Sequence, residues 1–171
     1  MDKYRKIVEK AQKTKSDEKI LNSSIEHARI LIDKILGDAK SNIKILSDNF
    51  DDTFYRDMQK TFQSVLESNS LQTLEIITKT DTTSTVLETL KAKYGKKIVH
   101  KTLDYNTFPS SYKDHEKINY IVTDNNSYRF EFSDAYLAEG RVDAVACFND
   151  KDNATKLIAN FNTLFQASSL Q

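Results

Sequence analysis

An α/β fold, a mixed sheet flanked by helices with a helical N-terminal extension, is the class this sequence predicts, and three observations predict it. Between Ile43 and Leu103, short β-branched runs alternate with stretches of helical spacing, which is the order a parallel sheet with right-handed crossovers produces. Lys117 to Phe132 then make two period-two runs about the polar turn Asp124 to Ser127, which reads as a hairpin. One more apolar run, Val142 to Phe148, leads into a last helical pattern.

Taken in order, residues 2 to 15 carry Tyr4, Ile7, Val8 and Ala11 at helical spacing among lysines, so a short amphipathic helix is expected. Ser16 is expected to cap a long second helix. Its stripe is Ile20, Leu21, Ile25, Ala28, Ile32, Ile35, Leu36 and Ala39, with a break near Asn22 to Ser24. Ile43, Ile45 and Leu46 form a first strand, after which Asp52 and Thr53 cap a helix with the face Phe54, Met58, Phe62, Val65 and Leu66. Leu71 to Lys79 is the second strand. Asp81 or Thr82 caps the next helix, which Gly95 ends, and Lys97 to Leu103 is the third strand. Asp104 to Glu116 reads as a loop, and so does Ser133 to Gly140, with a helical turn as the alternative there. The final helix carries Ala154, Leu157, Ile158, Phe161, Leu164 and Phe165, and residues 167 to 171 are expected to fray.

A chain of 171 residues suits one core, here expected as a domain over 23–171 preceded by the helical extension at 1–22. Twenty-five basic and 25 acidic side chains cancel, so the global field selects neither nucleic acid nor an anionic membrane. A nucleic-acid partner finds support only at the N-terminus, where seven basic residues, from Lys3 to Lys19, outnumber four acids. Cys147 is the single cysteine and lies in an apolar run without a basic neighbour, the setting of an inert buried thiol. No apolar run approaches the roughly 18 residues of a membrane span and no signal-peptide core follows the N-terminus, so a cytoplasmic protein is expected. Three glycines and one proline argue against glycine loops that cradle phosphates. No cofactor is expected. His27, His100 and His115 lack a partner ligand one helical turn away, so no metal is expected either.

The candidate site follows from strand parity. Tyr128, Phe130 and Phe132 take the core-facing side, which puts Arg129 and Glu131 together on the other face, paired, partly buried and expected beside Asp124. Arg129 would present a planar fork to an anion and Glu131 would orient it. In an α/β sheet the crevice lies at the carboxyl ends of the parallel strands, which adds Asp48, Asn49, Lys79 and Thr80.

The alternating half followed by a strand that ends in Asp124, a tight turn and further antiparallel strands resembles one phospholipase D-like domain. In that family the strand carries His-x-Lys-x4-Asp, where histidine attacks phosphorus and lysine binds the phosphate. Counting back from Asp124 puts Lys117 at the histidine position and Asn119 at the lysine position, so the catalytic pair is missing. His115 and Lys117 do spell His-x-Lys, but two residues too early. The family's following Gly-Ser is replaced by Tyr128 to Glu131. The resemblance implies a degenerate, non-catalytic binding or interaction module, with ligand-binding residues Arg129, Glu131 and Asn119. It implies a homodimer, since two such halves meet face to face in the family. A protein partner, or a place in a bacterial defence or toxin–antitoxin locus, fits the same compact form. The alternative is a phosphodiesterase or nuclease that uses His115, Lys117 and Asp124 at altered spacing.

Overall fold

A computed structural model describes residues 2–103, 118–132 and 141–170. Helix α1 (Asp2–Thr14) is followed by strand β1 (Ile20–Ser24), helix α2 (Ile25–Asp38) and strand β2 (Asn42–Ser47). Short helix α3 (Asp52–Tyr55) runs through a 3-10 turn into α4 (Gln59–Glu67), then come β3 (Thr73–Thr78), α5 (Thr85–Tyr94) and β4 (Ile98–Leu103). The hairpin strands are β5 (Ile118–Thr123) and β6 (Ser127–Phe132), and the chain closes with β7 (Arg141–Cys147), α6 (Lys151–Gln166) and β8 (Ser168–Leu170).

Among the described residues these strands make one eight-stranded sheet in the order β1-β7-β6-β5-β2-β3-β4-β8. Strands β2, β3 and β4 are parallel, as the sequence alternation demands, and every other pairing is antiparallel. Both faces are covered. One packs Ile43, Ile45, Ile76 and Ile121 under α2, α4 and α5, and α1 adds Val8 and Ala11 to that layer. The other packs Leu46, Ile77, Tyr120 and Val122 under α6 through Phe161 and Leu164.

Three expectations fail at the ends of the chain. Ser16 caps nothing: α1 stops before it, Lys15 is left-handed at φ 51°, and the Ser16 amide donates to the Ala11 carbonyl. Residues Ile20 to Ser24 form the edge strand β1 in place of a helical turn, pairing Ile20 with Ala146 and Asn22 with Ala144. In the strand Ile20 and Asn22 share the buried face and Leu21 points outward, so the apolar stripe does not carry through this segment. Asn22, Ser23 and Ser24 disfavour helix interiors, and Ser24 starts α2 instead, its hydroxyl accepting from the His27 amide at 3.2 Å. A domain boundary at residue 22 falls inside β1. The frayed tail is corrected too, since Ser168 to Leu170 add β8 beside β4. Two helix caps move: Asp51 caps α3 and Ser84 caps α5. The expected loops at 104–116 and 133–140 lie outside the described residues, as do His115 and Lys117. No described helix is long and apolar enough to cross a membrane.

Candidate functional site

The parity of β6 puts Arg129 and Glu131 on the α2 face, and the register decides what they meet. Glu131 stands opposite Asn119 on one side and Ala144 on the other, and Ala144 in turn stands opposite Asn22. Arg129 stands between Ile121 and Ala146. The two alanines of β7 leave open space above the sheet, and the guanidinium reaches over them: its Nε donates to Asn22 Oδ1 at 2.8 Å and its Nη2 to Glu131. Both charged side chains are buried, at 3% and 7% exposure, so this is an interior ion pair and not a screened surface one.

Asn119 extends the network. Its Nδ2 donates to Glu131 Oε1 at 3.3 Å and to Asp48 Oδ2 at 3.1 Å, which fixes the amide orientation because its oxygen would face two carboxylates if turned. Its Oδ1 is buried and accepts from none of the described residues. Asp48 follows β2 and is held by the buried Lys79 ammonium at 2.7 Å, while the Lys79 and Thr80 amides donate to the Asp48 carbonyl. Together Asp48, Asn49, Asp51, Asn119, Arg129 and Glu131 line a cavity of about 300 Å³ with apolar walls that include Ile32, Phe54 and Ile121. It lies at the carboxyl end of β2, as the crevice rule predicts, but on the β5 and β6 side, so Lys79 and Thr80 are not among its lining residues. The loop that supplies Asp48 and Asp51 is held by Phe50, which is buried, left-handed at φ 51° and stacked on Tyr55 at 4.0 Å.

Asp124 is elsewhere. Because β5 runs antiparallel to β2, Thr123 pairs with Ile43 and the turn meets the start of β2, roughly 17 Å along the strand from Asn119. This corrects the expected neighbourhood of Arg129, Glu131 and Asp124. There the carboxylate accepts from the amides of Lys40, Ser41 and Asn42 at 2.6, 2.8 and 3.0 Å and from the Ser41 hydroxyl at 2.8 Å. Asp124 and Asn125 are both left-handed, and the Asn126 amide closes the turn on the Thr123 carbonyl. Burial pushes the Asp124 carboxyl up, but the amides of Asn42, Ser41 and Lys40 together outweigh it and hold the group below the usual carboxylate range.

The other described candidates stay out of the cavity. His27 stacks on Tyr4 with ring centroids 3.6 Å apart. His100 is buried on β4, bonded to the Thr78 hydroxyl at 2.9 Å, and burial, with the Lys91 charge, lowers its pKa to about 4. Cys147 is buried, and burial raises its thiol pKa. Tyr128 is buried in the core, on the side its strand parity predicts, with its hydroxyl on Asp150 at 3.0 Å. No group of three His, Cys, Asp or Glu among the described residues is arranged to hold a metal ion. Asn22 escaped sequence reasoning, since its partner Arg129 is 107 residues away.

Neither a protein-family model nor a curated protein matches this sequence. Solved structures do match its fold, and that fold is phospholipase D-like. Nuc from Salmonella typhimurium, described as a phospholipase D family member, superposes with a TM-score of 0.61 at 14% identity over 90% of this chain and 97% of its own. NucT from Helicobacter pylori gives 0.62 at 12% identity, over 90% and 99%. TrmBL2, described as an archaeal chromatin protein with a novel mode of DNA binding, gives 0.62 at 16% identity. That match covers 98% of this chain, which spans 61% of TrmBL2.

Proposed function

We propose that the chain is a non-catalytic binding module on a degenerate phospholipase D-like fold, with the cavity walled by Arg129, Glu131 and Asn119 as its ligand site. One observation supports this most: Asn119, at the position the resemblance gives to the phosphate-binding lysine, is a neutral amide in the cavity wall donating to two carboxylates. A lysine there would stabilise charge developing on phosphorus, whereas an amide flanked by Asp48 and Glu131 opposes it. Lys117, at the histidine position, cannot form a phosphohistidine. The purified protein is expected to show no turnover of single- or double-stranded DNA, RNA or a chromogenic phosphodiester. Turnover that disappears in His115→Ala would overturn this reading in favour of a phosphodiesterase.

The resemblance extends the proposal to a symmetric dimer, because one such domain supplies half of the family's paired arrangement. Light scattering at micromolar concentration is expected to return twice the chain mass of 19.6 kDa. A mass near that of one chain rules the stable dimer out.

A further inference from the structure

We infer that the cavity takes a small, uncharged polyol and not an anion, an inference that rests on the binding-module reading. Among the described residues Arg129 is the cation that lines the cavity, and it is already engaged, as is Lys79 behind Asp48. Arg129 donates to Asn22 and Glu131, and the Lys79 ammonium donates to Asp48. The acceptors, by contrast, are in surplus: a carboxylate offers about four lone-pair sites, and Asp48 and Glu131 keep some of theirs beyond these bonds. Asp51 adds a third carboxylate to the lining. Asn119, which also lines the cavity, has a buried Oδ1 that accepts from none of the described residues.

A phosphate or carboxylate entering this space meets the oxygens of Asp48 and Glu131 and gains a cation only by breaking an existing pair: Arg129 with Glu131, which strands a buried carboxylate, or the buried Lys79 ammonium with the half-exposed Asp48. A hydroxyl donates to those same oxygens and leaves both pairs intact. A cation gains less than the carboxylates alone suggest, since Arg129 and Lys79 already pair with Glu131 and Asp48. The apolar walls from Ile32, Phe54 and Ile121 suit the C–H face of a ring, and about 300 Å³ is the lower end of small-molecule sites. The ligand class is therefore a hydroxyl-rich molecule of one or two sugar-like rings.

The test is calorimetric titration of the full chain with glucose, galactose, ribose, myo-inositol, maltose and sucrose, each at millimolar concentration, beside sodium phosphate and spermidine. Saturable binding of at least one neutral polyol is expected, weakened about tenfold or more in Asp51→Asn and in Asn119→Leu. Asp51→Asn keeps an acceptor for the α3 cap, so its loss of affinity is not a loss of folding. Circular dichroism of Asn119→Leu confirms that its fold is retained. Saturable binding of phosphate or spermidine in place of every polyol overturns the inference and leaves the binding-module reading standing. Silence across the panel also overturns it, and the phosphodiester assay then judges the binding-module reading separately.

Discussion

Arg129→Met is expected to destabilise the protein by about 3 kcal/mol or more in urea unfolding, while Arg129→Met with Glu131→Leu costs less than that single change. Removing the guanidinium leaves the Glu131 carboxylate buried, facing Asn119 and without its countercharge, and an uncompensated interior charge costs on the order of 3–5 kcal/mol. Removing both charges deletes the desolvation cost along with the attraction, so the two changes are strongly non-additive. The double variant is not free of cost, because Asn22 Oδ1 loses its donor and one Asn119 N–H loses its acceptor. A single-site cost below about 1 kcal/mol, the range of screened surface pairs, would contradict the burial described here.

Asp124→Ala is the second large effect, expected at about 2–4 kcal/mol, because four donors lose one carboxylate at once. The site is partly open to water, which replaces some of these bonds and keeps the cost below that of full burial. Asp124→Asn should fall between, since one amide oxygen remains and Asn tolerates the left-handed backbone at φ 52°. Asp124→Gly separates the two roles. It fits the turn at no steric cost yet lacks the acceptor, so a loss matching that of Asp124→Ala assigns the effect to the carboxylate.

The same residue sets a pH dependence. Its carboxyl is held below the ordinary value in the folded chain, so the unfolded chain binds the proton more readily. The contribution is therefore fully present above the ordinary aspartate pKa and lost as pH falls through the lower folded value. Unfolding midpoints measured from neutral pH into acid should drop more for the parent chain than for Asp124→Asn. Equal pH slopes would remove Asp124 from that account.

Much of this architecture is written locally. The alternation from Ile43 to Leu103 specified parallel β2, β3 and β4, because a strand followed by a helix can return to the same sheet in one hand only. Period-two spacing about Asp124 to Ser127 specified the hairpin and put Arg129 and Glu131 on one face, since side chains alternate across a strand. Both signals lie within a few residues of what they determine. What the sequence could not place were the partners that only register brings together. Asn22 meets Arg129 over two alanines of β7, and Asp124 meets Lys40 to Asn42 across more than 80 residues. Ile20 to Ser24 became strand and not helix because an open edge of β7 accepted their backbone groups, and Ser168 to Leu170 found the same at β4. Whether an ambiguous segment pairs, and what a buried charge meets, depends on the sheet's strand order. Tertiary packing sets that order, and no periodicity along the chain encodes it.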